Sequence, residues 1–146
     1  MRVFKNQLKM IPESITQLKN LEYLDCRNNE ISSLPESIGN LSLLKQLSLS
    51  GNDLTYLPKS IANMTELEHL DLSNNRLAYL PESIGNLANL KGLRLDKNQL
   101  NNLPVSIKCL KNLKRLWIGK KQFNSLPVDL KNWIKILESS GCDVRR

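Results

Sequence analysis

The sequence predicts an α/β solenoid: one parallel sheet along a concave face, return segments behind it, and a helix closing the C-terminal end. Three observations carry this. All six prolines stand 23 residues apart, at Pro12, Pro35, Pro58, Pro81, Pro104 and Pro127. Asparagine keeps the same interval at Asn6, Asn29, Asn52, Asn75 and Asn98, with Lys121 in the sixth place. Apolar residues fill fixed offsets around each asparagine: Leu67, Leu70, Leu72, Leu77, Leu80, Ile84 and Leu87 around Asn75, and the same set one interval later around Asn98. Self-similarity at a fixed period is the signature of stacked repeats.

Within each copy the LxL leucines alternate with polar residues, the period of a half-buried strand. Every strand runs the same way, so the sheet is parallel and the return segments cover its other side. One coil cannot bury its own apolar side, whereas stacked coils share a core. The asparagine column reads as structural: a buried carboxamide pairs with backbone groups where the chain leaves the strand. A serine column, Ser14, Ser37, Ser60, Ser83 and Ser106, with Asp129 in the last copy, lies two residues after each proline. There a short polar side chain is expected to cap the first turn of the return segment, and proline suits that turn because its missing N–H costs nothing.

Residues 1–128 thus read as six 23-residue repeats, the first incomplete, and residues 129–146 as a C-terminal helix and tail. In the last copy Leu130, Trp133, Ile134 and Leu137 fall at helical spacing, which predicts an amphipathic helix over 129–140 with Asp129 as N-cap and Gly141 as the stop. Met1 and Val3 take the places of Leu70 and Leu72, so the chain is expected to begin inside its first strand, with an exposed edge suited either to self-association or to further sequence upstream in the natural protein.

The segment LEHLDLSNNRLAYLPESIGNL (67–87) resembles a leucine-rich repeat, and the resemblance covers residues 1–137. The LPxSI form is similar to Ras-group-related leucine-rich repeat proteins and to bacterial repeat proteins, secreted effectors among them. The resemblance implies a horseshoe arc whose concave face binds a partner protein. It also implies a location in the cytoplasm, or delivery to a host cell by a route that needs no signal peptide.

Composition narrows the function. No apolar run approaches the ~18 residues that span a bilayer, which argues against membrane insertion. Cys26, Cys109 and Cys142 form neither a disulfide framework nor a metal-binding pair, and there is no P-loop or GxGxxG, so neither a metal nor a cofactor is expected. Cys26 takes a leucine place in the core, Cys109 falls in a return segment and Cys142 in the polar tail. Net charge is +7, with seven basic and nine acidic residues in 1–73 against fourteen and five in 74–146. The acid-free run from Lys108 to Lys121 leaves open a charge-driven anionic partner, an acidic protein, phosphoinositide or nucleic acid. Nucleic-acid modules are absent, so nucleic acid is the least favoured of the three. A third reading makes the chain the targeting part of a larger enzyme.

The polar residues between the leucines face away from the core. Register places Tyr23, Gln46, His69 and Arg115 in one column, Asp25, Ser48, Asp71, Arg94 and Trp117 in the next, and Arg27 and Asp96 in a third. These columns vary while the leucines do not, as expected of a shared scaffold with a bespoke surface. Trp117, flanked by Arg94 and Arg115, is the strongest candidate, because Trp and Arg are enriched among interface hot spots. On this reading Trp117→Ala weakens partner capture and leaves thermal unfolding nearly unchanged. Tyr23, Asp25 and Arg27 make a second, mixed-charge spot. His69 beside Asp71 could suggest acid–base chemistry, but no nucleophile accompanies the pair, and the chain is read as a non-enzyme.

Overall fold

The computed structural model describes all 146 residues. Six short strands form one sheet: β1 (Tyr23–Asp25), β2 (Gln46–Ser48), β3 (His69–Asp71), β4 (Gly92–Arg94), β5 (Arg115–Trp117) and β6 (Asp143–Arg145). They lie side by side in chain order and every pair is parallel. Leu24, Leu47, Leu70, Leu93 and Leu116 form one row across the sheet. Leu93 and Leu95 are both 0% exposed, while the side chain of Arg94 between them is 41% exposed. The leucines therefore point into a single core of 38 buried residues and the intervening side chains point out.

Behind the sheet the chain returns through 3-10 segments, Glu13–Gln17, Ile38–Asn40, Lys59–Asn63, Glu82–Asn86 and Val105–Cys109. Pro12, Pro58, Pro81 and Pro104 stand just outside these turns, extended at ψ 145–147°, and their carbonyls accept from the amides of Ile15, Ile61, Ile84 and Ile107. The serine column does not cap them. No serine side chain bonds to the first turn of its own segment. Ser37 Oγ instead donates to the Glu13 carboxylate, and Ser83 Oγ to the Lys59 carbonyl, both one coil earlier. In four of the coils proline holds the cap position and the serine stands inside the first turn, past the place from which a side chain caps. Ser37 and Ser83 thus serve as stitches between coils, while the hydroxyls of Ser60 and Ser106 are buried without a partner.

Those segments approach closely. A Cβ at Gly39 would fall inside contact distance of the Ser60 carbonyl, and one at Gly85 would do the same at Ser106.

The asparagines form a ladder. Asn75 Oδ1 accepts from the Leu54 amide, while Nδ2 donates to the carbonyls of Leu49 at 2.9 Å and Leu72 at 3.1 Å. Asn29, Asn52 and Asn98 repeat the arrangement, each joining its own coil to the previous one. Immediately before each asparagine the backbone is left-handed, at Lys5, Asn28, Gly51, Asn74 and Lys97, with φ between 54° and 69°. That conformation turns the chain out of the strand, and Gly or Asn adopt it most readily.

In the sixth copy the ladder shifts by one residue. Lys121 does not take the asparagine role. Helix α1 (Lys120–Ser125) replaces the left-handed turn, and the longer side chain of Gln122 reaches back to the Leu95 carbonyl at 3.2 Å. Helix α2 (Val128–Ser139) follows and buries Leu130, Trp133, Ile134 and Leu137. Its N-cap is Pro127. Asp129 lies within the first turn, where its carboxylate receives Lys108 Nζ at 2.8 Å. Gly141, at φ 91°, turns the chain back.

The tail is not a polar extension. It re-enters the sheet as β6, with Val144 in the leucine row beside Leu116 and Cys142 8% exposed. The sheet thus has six strands, but not the six expected. The first coil contributes a single bridge, Arg2 to Asp25, and the sixth strand comes from the tail. Around the first coil Met1, Leu8, Met10 and Leu18 remain exposed, bordering an apolar cleft of about 390 Å³.

Candidate binding face

Two rows of side chains cross the outer face of the sheet. The first runs Tyr23, Gln46, His69, Gly92, Arg115 and Asp143, and the second Asp25, Ser48, Asp71, Arg94, Trp117 and Arg145. An open trough of about 420 Å³ lies over the middle strands and gathers Arg27, Gln46, Ser48, His69, Asp71, Arg94, Arg115 and Trp117. Tyr23 and Asp25 border a second cleft with Met1 and Phe4, and Arg27 and Gln46 line both. Asp96 lies beyond Trp117, in a cleft with Arg145 and Arg146.

Ion pairs fix much of this face. Arg27 donates to both carboxylate oxygens of Asp25, at 2.8 and 2.7 Å, and these bonds hold the Asp25 carboxyl below the usual carboxylate range. Asp71 accepts from the amide and hydroxyl of Ser73, and Arg94 meets its other oxygen at 3.3 Å. Arg94 follows Asp71 by one repeat interval, as Lys45 follows Glu22, Arg76 follows Asp53 and Lys91 follows Glu68. The period that stacks the leucines therefore also sets charge against charge between coils.

Trp117 lies between two guanidinium groups. Arg94 Cζ is 3.8 Å from its ring centroid and Arg145 Cζ 4.6 Å. Because β5 runs between β4 and β6, the two arginines come from opposite sides. The second stacking partner is thus Arg145, not Arg115. No periodic signal marks Arg145, since it lies outside the repeats. Gly92 is the other residue that a search for polar side chains passes over. It is buried beneath its neighbours, and a Cβ there would stand 2.7 Å from His69 Nδ1.

Asp71 makes no hydrogen bond to His69, so the face holds no oriented acid–base pair. Burial lowers the His69 pKa, and Arg115 pushes it further down. Nowhere do three or more His, Cys, Asp or Glu side chains group to hold a metal ion, and no helix is long and apolar enough to cross a membrane. The basic run from Lys108 to Lys121 does not make one surface. Lys108 sits in a 3-10 segment behind the sheet, Arg115 on the sheet face, and Lys120 and Lys121 in α1.

A leucine-rich repeat region model matches residues 1–76 and a leucine-rich repeat model residues 66–87. A leucine-rich repeat protein of Leptospira interrogans is 34% identical over 100% of this chain and 42% of its own, with a TM-score of 0.71. The leucine-rich repeat domain of the type III effector XopL is 30% identical over 79% of this chain and 43% of its own, at 0.72. An internalin of Listeria monocytogenes, 22% identical over 96% of this chain and 38% of its own, shares the fold at 0.76. The chain spans about two fifths of each. No curated protein matches it. With its asparagine ladder, its row of inward leucines and these relatives, the chain belongs to the leucine-rich repeat family and is similar to its bacterial members.

Proposed function

We propose that the protein binds a partner protein through the concave face and performs no chemistry of its own. One observation carries this: the trough over β2 to β5 is lined by side chains that differ at every coil while the scaffold beneath them repeats. A sheet face of six strands at about 4.8 Å spacing spans roughly 25 Å, enough for part of a protein interface and too open for a small molecule. Trp117, held rigid between Arg94 and Arg145, is the anchor a hot spot needs, a large side chain with little entropy left to lose. The likeness to the effector XopL supports a host protein as the partner and action inside a host cell.

The test compares proteins captured by the wild type, by Gln46→Arg and Trp117→Ala on the face, and by Tyr79→Ser, an exposed residue outside the sheet. Partners lost with both face variants and kept with Tyr79→Ser support the reading. Equal capture by all four sinks it.

A further inference from the structure

We propose that the strip over Gly92, between His69 and Arg115, receives a single carboxylate, the Asp or Glu side chain of an acidic segment on a protein partner. This rests on the concave face being the partner-binding surface, and it names the chemistry recognised there.

The strip is shaped by an absence. Gly92 has no side chain, and a Cβ would stand 2.7 Å from His69 Nδ1, so the imidazole leans across β4 towards the strand that carries Arg115. Neither group is used internally: His69 makes no side-chain hydrogen bond, and Arg115 makes none and joins no ion pair. The neighbouring charges are spoken for. Arg27 holds Asp25, Arg94 holds Asp71, Arg145 holds Asp143, and Lys91 holds Glu68 at the border of the strip. One uncompensated, exposed positive charge thus stands beside a half-buried neutral imidazole, and a carboxylate meeting it forms a charge-assisted bond. A carboxylate balances that charge and fits the guanidinium fork. A phosphate dianion would bring excess negative charge towards Asp71, on the trough floor.

Proton linkage follows. Burial, Arg115 and Lys91 all disfavour the imidazolium of His69, and Glu68 favours it. Asp71 and Arg94, the other charged groups around the ring, offset one another. A carboxylate between His69 and Arg115 cancels the arginine's effect, so His69 takes up a proton on binding and affinity rises as pH falls from neutral.

His69 is the sole histidine, so its ring-proton NMR signal reports directly. The probe is a hexaglutamate peptide at physiological ionic strength. The expected result is a rise of about one unit in the His69 pKa, equivalent to roughly tenfold tighter binding to the protonated form. Arg115→Gln abolishes the rise and Gly92→Ala reduces it several-fold. Lys120→Glu with Lys121→Glu lowers net charge further than Arg115→Gln does and leaves it intact. If the response follows net charge instead, the proposal falls. It also falls if a phosphoserine peptide or oligothymidylate shifts His69 more than hexaglutamate does, which assigns the strip to a phosphoprotein or a nucleic acid. Urea denaturation confirms that each variant is folded. Should Trp117→Ala and Gln46→Arg lose a captured partner that Arg115→Gln retains, the face reading stands and the carboxylate site alone is overturned.

Discussion

Gln122 and Asn98 donate to the same carbonyl oxygen, that of Leu95, at 3.2 and 3.0 Å. The amide ladder therefore continues past the last asparagine, carried by a side chain one methylene longer and one residue later. Asn75 stands mid-ladder and bonds three carbonyls and one amide, all solvent-shielded. Asn75→Ala leaves the buried Leu54 amide without a partner, while the carbonyls of Leu49, Leu72 and Ser73 keep Asn52, Asn98 and the Gly51 amide as donors, and is expected to cost about 2–3 kcal/mol. Gln122→Ala, at the end of the ladder, removes fewer bonds and is expected to cost about 1–2 kcal/mol. Urea denaturation measures both, and equal losses would contradict the ladder.

Lys97 occupies the left-handed turn at φ 57°, a place that Gly51 fills in an earlier coil. A side chain with a Cβ pays about 1–2 kcal/mol there. Lys97→Gly is expected to recover most of that cost, against a small entropic penalty from the more flexible unfolded chain. The observable is a rise in melting temperature, whereas the same change at Lys131, within α2, should lower it.

Trp117 stacks on two arginines and is only partly exposed, so its removal is not neutral to folding as sequence alone suggests. Trp117→Ala is expected to cost about 1–2 kcal/mol, and a double-mutant cycle with Arg94→Ala to show about 0.5–1 kcal/mol of coupling. No coupling would mean that the stack contributes nothing in solution. Binding studies with Trp117→Ala therefore need a folding control.

The Cys26 thiol, 1% exposed, is pushed up by burial to about 11. The folded state thus favours the protonated thiol, whose stabilising effect is complete below the unfolded value near 9.0 and is lost as pH rises towards 11. Between those limits the wild type should lose stability more steeply than Cys26→Ala, as read from urea midpoints. At pH 8 a thiol reagent should label exposed Cys109 rapidly and buried Cys26 and Cys142 slowly.

Much of the fold is legible because the signal is repeated. Leu93 faces inward for the same reason as Leu70 and Leu47, and a column of equivalent residues outweighs the ambiguity of any one. Register alone likewise placed Gln46, His69, Asp71 and Arg94 on the outer face. Single-copy features carry no such reinforcement. Cys142 and Val144 alternate with Asp143 and Arg145 as strand residues do, yet two apolar positions cannot be told from a polar tail. Gln122 hides behind Lys121 because α1 changes the phase by one residue. Ser37 and Ser83 look like caps because cap and inter-coil stitch demand the same short hydroxyl, and only the neighbouring coil distinguishes them. Gly92 matters through the space it leaves, which a list of functional groups cannot reveal.

The placement of β6 decides how such a protein can vary in length. Its strand occupies the flank of β5 where another coil would dock. Adding a unit after Trp117 means evicting that strand together with the arginine stacked on the indole. Between Asn29 and Asn98, by contrast, a duplicated block of 23 codons preserves each inter-coil bond and lengthens the arc by one rung. Gain and loss of units should accordingly fall between Asn29 and Asn98, with the segment that carries β6 inherited intact.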